Sequence, residues 1–119
     1  MRALKAIINL KEQNLIDDLA FAQFWRNSRL SSNSRSKRLM ALELRGKGVS
    51  QEIIERTLEG INDEEIACAS GRQRMHLLAH LEYSQFQQRL SNYLAYRGFN
   101  HEIIRTTITR LWQENQGET

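Results

Sequence analysis

A segment of this 119-residue chain occurs twice, fifty positions apart, and an internal repeat of that period restricts the fold more than composition can. Gly48, Glu52, Ile53, Ile54 and Thr57 recur as Gly98, Glu102, Ile103, Ile104 and Thr107. Lys47/Arg97, Val49/Phe99, Ser50/Asn100, Leu58/Ile108 and Ile61/Leu111 keep their chemical type. Each copy reads as one local design. Glycine suits the left-handed residue that ends a helix. Ser50 or Asn100 then offers a side-chain oxygen to the first free N–H groups of the next helix. Glu52 and Glu102 follow in that helix's first turn, where negative charge suits its dipole. Ile53, Ile54, Thr57, Leu58 and Ile61 lie at i, i+1, i+4, i+5 and i+8, a stripe of helical period. The unit is therefore helix, tight glycine turn, helix. Units of this size bury little alone and gain a core by stacking in an array.

The rest of the chain supplies the other helices. Leu4, Ile7, Ile8 and Leu10 place a first helix over 1–12, and Asn14, Leu15 and Ile16 interrupt its pattern. With Asp17 as cap, a second helix is predicted from Asp18 to Arg29, its apolar face formed by Phe21, Ala22, Phe24 and Trp25. A serine-rich linker, 30–34, offers Ser32 or Ser34 as the cap of a third helix ending near Gly46, with Met40 and Leu44 inward. Helix four covers Gln51 to Gly60, and helix five Asp63 to His80 behind the capping-box-like pair Asn62 and Glu65. Gly71 inside helix five weakens it by about 1 kcal/mol relative to alanine. Helix six, opened by Ser84, covers Gln85 to Arg97; helix seven covers His101 to Trp112; the end reads as frayed. The expected architecture is all-α: tandem three-helix repeats in an elongated, curved array. Residues 1–13 would be the last helix of a truncated first repeat, 14–61 and 62–113 two three-helix repeats, and 114–119 a tail.

Charge is unevenly placed. The net charge is only +3, yet 26–47 holds seven basic residues and one acidic, while 48–66 holds one basic and six acidic. Such asymmetry suits a polyanionic partner on one side and a charge-matched protein surface on the other. Arginine outnumbers lysine thirteen to four, which favours bidentate contacts to phosphate or carboxylate. The candidate partner- or DNA-binding set is Arg26, Arg29, Arg35, Lys37, Arg38, Arg45, Lys47 and Arg97. Arg45 and Lys47 also complement a helix C-terminus, whereas Arg35, Lys37 and Arg38 lie near a helix start, where cations oppose the dipole.

Chemistry of other kinds finds little footing. The carboxylates Asp17 and Asp18, and Asp63, Glu64 and Glu65, read as capping groups, since catalysis would need them to converge on one atom. His76 and His80 are spaced to share a metal on one helix face, but no third ligand accompanies them. The one cysteine, Cys68, excludes a disulfide framework and reads as a small core residue. Arg45-Gly46-Lys47-Gly48 lacks the strand and spacing of a phosphate loop. No catalytic set, cofactor or metal is expected, no apolar run nears the ~20 residues of a membrane span, and the cytosol is the expected location.

The ordered motifs resemble a known family. Leu15-Ile16-Asp17-Asp18, Phe21-Ala22, Trp25 and Arg29 are similar to its first signature. Ser34-Arg35, Arg38, Glu43-Leu44 and Lys47-Gly48-Val49 ahead of Ile53-Ile54 resemble its second, and Arg97-Gly98-Phe99 ahead of Ile103-Ile104 its third. The family is RecX, regulatory proteins of the bacterial recombinase RecA, and the resemblance runs from about Ile7 to Leu111. Asn14 departs from it, standing where the family usually has glycine. The resemblance implies three-helix units, normally three of them. It also implies binding in the groove of the RecA–DNA filament and inhibition of ATPase, strand-exchange and coprotease activities, hence regulation of DNA repair and recombination. Expected partners are that filament and, through the basic segment, single- or double-stranded DNA; the chain is expected to be monomeric. The alternative is an array that binds DNA directly, because helix-turn-helix proteins share the short glycine turn.

Overall fold

The chain's fold follows from where its helices can start and stop. A computed structural model describes residues 2–32 and 34–117, with side chains described from Asn9 onward. Among the described residues six helices occur in order: α1 (Arg2–Ser31), α2 (Lys37–Gly46), α3 (Gln51–Leu58), α4 (Asp63–Leu78), α5 (Tyr83–Tyr96) and α6 (His101–Gly117). No strand occurs among the described residues. The all-α expectation holds, with one helix fewer than the seven predicted.

The missing boundary is at Asn14–Asp17, where α1 runs on unbroken for 30 residues. No glycine or proline stands there to stop it, and a single asparagine costs only tenths of a kcal/mol. Asp17, expected as a cap, instead accepts from Gln13 Nε2 at 3.1 Å along the helix surface. At the other end α6 passes Trp112 and reaches Gly117. There Glu114 pairs with Arg72, and Asn115 Nδ2 donates to the Ala79 carbonyl at 3.3 Å, so these residues are docked rather than frayed.

Other ends are set by specific oxygens. Ser50 and Asn100 cap α3 and α6 by accepting from Ile53 N and Ile103 N, and Asn62 accepts from Glu64 N and Glu65 N ahead of α4. The cap of α2 is Ser36 rather than Ser32 or Ser34; its Oγ accepts from Leu39 N at 3.1 Å. Its own N–H donates to the Arg97 carbonyl at 2.9 Å, a long-range tie that selects this serine among its neighbours. Glu82 precedes α5 without a side-chain cap, and Ser84 lies within its first turn. Gly48 and Gly98 have φ of 86° and 91°, the left-handed turn that the repeat requires.

Helices α1–α3 and α4–α6 form two units, each with its own core. Met40, Leu44, Val49, Ile54 and Leu58 are buried in the first; the repeat-equivalent Leu90, Leu94, Phe99, Ile104 and Ile108 are buried in the second. Thr57 and Thr107 are buried as well. Gly71 is explained by packing: a Cβ there would stand 2.5 Å from Leu111 Cδ1, so the residue that weakens α4 lets α6 approach.

The units meet through a small junction. Ile66 packs against both cores. Arg97 Nη1 donates to the Ser34 carbonyl at 2.8 Å, and Asp63 Oδ1 accepts from Lys37 N at 2.9 Å. The result is a rod measuring 72 × 23 × 19 Å with a radius of gyration of 19.2 Å, against about 13–14 Å for a compact domain of this length.

Candidate partner-binding surface

The cations expected to form one binding surface divide into two groups. The first is turned inward. Glu43, in the middle of α2, accepts from Trp25 Nε1 at 3.2 Å and from Arg29 Nε and Nη2 at 3.2 and 2.9 Å. Arg35 Nε lies 3.4 Å from the same carboxylate. The Arg29 guanidinium also stacks over Trp25, 4.8 Å from the ring centroid. Arg26 Nη1 donates to the Thr57 carbonyl at the end of α3, satisfying an acceptor that the helix leaves open. Arg97 ties the two units together through Ser34. These four are half-buried and hold the fold.

The second group faces solvent. Lys37, Arg38, Arg45 and Lys47 are exposed at the two ends of α2. Arg45 Nη2 donates to Gln51 Oε1 at 2.8 Å, and Lys47 Nζ lies 5.3 Å over the Trp25 ring. The unfavourable placement of cations at the start of α2 is partly relieved. Asp63 puts its carboxylate on Lys37 N, where negative charge suits the dipole.

The repeat carries a chemical substitution at its centre. Position 43 of the first unit corresponds to position 93 of the second, and each gathers two arginines by a different route. Glu43 does so by ion pairs with Arg29 and Arg35. Tyr93 does so by cation–π contact, with the Arg74 and Arg97 guanidinium carbons 4.4 and 4.6 Å from its ring centroid. Arg74 and Arg89, exposed on α4 and α5, flank Tyr93 and Leu77 in a cleft of about 220 Å³ and make no ion pair among the described residues. Sequence reading missed these two because they are fifteen residues apart on different helices, with no local cluster to mark them.

Arg72 is engaged instead. Its Nε and Nη2 donate to Glu114 at 3.1 and 2.7 Å, clamping α4 to α6. That hydrogen bond holds the Glu114 carboxyl below the usual glutamate range and raises Arg72 above its ordinary value. Cys68 is buried with its sulfur 3.9 Å from Arg110 Nη1. No group of three histidine, cysteine or carboxylate side chains among the described residues is placed to hold a metal. None of the described helices is long and apolar enough to cross a membrane.

Comparison with known proteins places this architecture. Residues 17–58 match the profile described as RecX, second three-helix domain, and 62–108 that of RecX, third three-helix domain. The Regulatory protein RecX of Chlorobium limicola is 34% identical over 104 residues, covering 87% of this chain and 65% of that protein. Those of Lactobacillus johnsonii and Mycobacterium avium are 31% and 35% identical, over 89% and 75% of this chain and 40% and 54% of theirs. The chain thus spans between about two fifths and two thirds of the length of these relatives. No solved structure matches it at a significant level. Two consecutive three-helix profiles, covering most of the chain in register with its two cores, leave one assignment: the chain belongs to the RecX family of regulatory proteins.

Proposed function

We propose that this protein binds a RecA–DNA filament and restrains it, lowering ATPase, strand-exchange and coprotease activity. The observation that carries the reading is the sorting of its cations. Arg26, Arg29, Arg35 and Arg97 brace a two-unit rod, while Lys37, Arg38, Arg45 and Lys47 remain exposed at both ends of one helix. Exposed cations that enter no ion pair among the described residues, held on a braced rod, suit attachment to an extended anionic assembly. The mechanism is positional: the rod spans neighbouring filament subunits and opposes the relative motion that turnover requires.

Co-sedimentation with filaments, beside bare single-stranded DNA, tests this. Wild type is expected to pellet with the filament at salt concentrations that release it from bare DNA. Replacing Lys37, Arg38, Arg45 and Lys47 by alanine should weaken pelleting and flatten its salt dependence, by roughly one unit of slope per lost phosphate contact. Equal retention on bare DNA at every salt would favour direct DNA binding instead. A quadruple variant that pellets like wild type would remove the role assigned to these cations.

A further inference from the structure

The repeat duplicates a groove as well as a core. Between α2 and α3 runs a cleft of about 320 Å³, and between α5 and α6 one of about 300 Å³. They are the same groove fifty residues apart. Lys37, Arg38, Gln51, Ile54, Glu55 and Leu58 line the first; Gln87, Ser91, His101, Ile104, Arg105 and Ile108 line the second. The apolar floor is preserved and the rim is recoloured. Glu55 becomes Arg105, Gln51 becomes His101, and Asp63, which closes the first groove, has no acidic counterpart in the second. No residue lining the α5–α6 groove is acidic. Arg105 and His101 sit on the exposed face of α6, one turn apart.

We propose that the α5–α6 groove is a docking site for an acidic, leucine-type peptide segment of a partner protein. The argument is one of complementarity. Ala95, Ile104 and Ile108 make a floor that takes an aliphatic side chain and offers nothing to a phosphate. Arg105 gives a planar fork for a carboxylate. Gln87, Asn92 and Thr109 along the rim can satisfy peptide N–H and C=O groups. One arginine and one histidine are too few for a nucleic acid backbone, whose tight binders make roughly six to ten phosphate contacts. The first groove lacks this complementarity, because Glu55 and Asp63 offset Lys37 and Arg38 and leave its rim without net positive charge. The site is separate from the exposed cations of α2, and its test uses neither filament nor DNA as the reporter.

The probe is a short synthetic peptide of Asp and Glu with two leucines spaced i, i+4, labelled for fluorescence anisotropy. Wild type is expected to bind it, with amide shifts centred on Gln87, Ser91, Asn92 and Thr109. The double substitution His101→Gln and Arg105→Glu gives the second groove the first groove's residues at exposed positions, so folding, checked by circular dichroism, should be unchanged. It should weaken binding at least about tenfold, as should replacing the peptide's leucines by serine. Unchanged affinity in the double variant would overturn the proposal, as would shifts centred elsewhere. Tighter binding of oligo-dT than of the peptide at these residues would assign the groove to nucleic acid and equally overturn it.

Discussion

Gly48 and Gly98 occupy equivalent turns with nearly equal φ, 86° and 91°, but their surroundings differ. A Cβ at Gly48 would meet nothing within 4 Å. A Cβ at Gly98 would stand 2.6 Å from Ser36 Oγ and 2.7 Å from Leu39 Cβ, because the start of α2 rests on this turn. Gly48→Ala therefore measures the backbone term alone, about 1–2 kcal/mol for a left-handed residue carrying a Cβ. Gly98→Ala adds an overpacking term of about 1–3 kcal/mol. That term is hard to relieve. Rotating Ser36 Oγ away gives up the α2 cap, worth ~1 kcal/mol, and Leu39 Cβ moves only if α2 moves, lengthening the 2.9 Å bond from Ser36 N to the Arg97 carbonyl. The total for Gly98→Ala is then about 2–5 kcal/mol. Urea and thermal denaturation followed by circular dichroism give both values, with each 1 kcal/mol lowering Tm by about 3–5 °C at this chain length. Loosening the junction should also broaden or split the transition for Gly98→Ala, since arrays unfold by unit when neighbour coupling weakens. Equal destabilisation by the two substitutions would refute the load placed on this contact.

Two further substitutions probe the charged contacts. Glu43→Gln keeps the shape but turns an amide toward Arg29 and Arg35, and should cost about 1–2 kcal/mol in urea unfolding; a change near zero would show that the arginines do not depend on that carboxylate. Glu114→Gln tests the α4–α6 clamp by pH. The Glu114 carboxyl is held below its ordinary value of 4.5, chiefly by the Arg72 hydrogen bond, so its stabilisation is complete above that pH and lost as pH falls through the lower folded value. Wild type should therefore melt above Glu114→Gln at neutral pH, with the gap closing in acid; a gap constant down to pH ~2 would contradict the linkage.

The fold was legible where local chemistry and tertiary packing agree. Gly48, Ser50, Gly98 and Asn100 mark their turns and caps in the sequence, and the structure uses each of them. It was illegible where a distant partner decides. Local rules pointed to Ser32 or Ser34 as the α2 cap, whereas the cap is Ser36, held by a bond to the Arg97 carbonyl sixty-one residues away. Asn14 to Asp17 offered the letters of a helix start, but no residue there forces a stop, and Asp17 found Gln13 in the same helix. The C-terminal residues read as a tail because their partners, Arg72 and the Ala79 carbonyl, belong to α4 and the turn after it.

The charged surface shows the same limit more sharply, because a sequence counts charges without their partners. Seven basic residues between Arg26 and Lys47 look like one patch, yet a single carboxylate, Glu43, draws in Arg29 and Arg35, and a helix end takes Arg26. Had Arg29, Arg35 and Arg26 been available to a ligand, the first unit would lose the contacts that fix α1 and Arg35 against α2 and α3. The second unit shows what happens when that carboxylate is absent. With Tyr93 in place of Glu43, Arg74 is held by a ring rather than by charge, so its guanidinium keeps capacity for an anion. Arg89 beside it carries no ion pair among the described residues. Neutralising the +6 segment of the sequence is therefore the wrong perturbation, since it mixes stability with binding. The informative comparison is the exposed set Lys37, Arg38, Arg45 and Lys47 against the pair Arg74 and Arg89. Each set can be changed to alanine without breaking an ion pair of the described fold, so a loss of filament binding in one alone would locate the anionic contact on that unit.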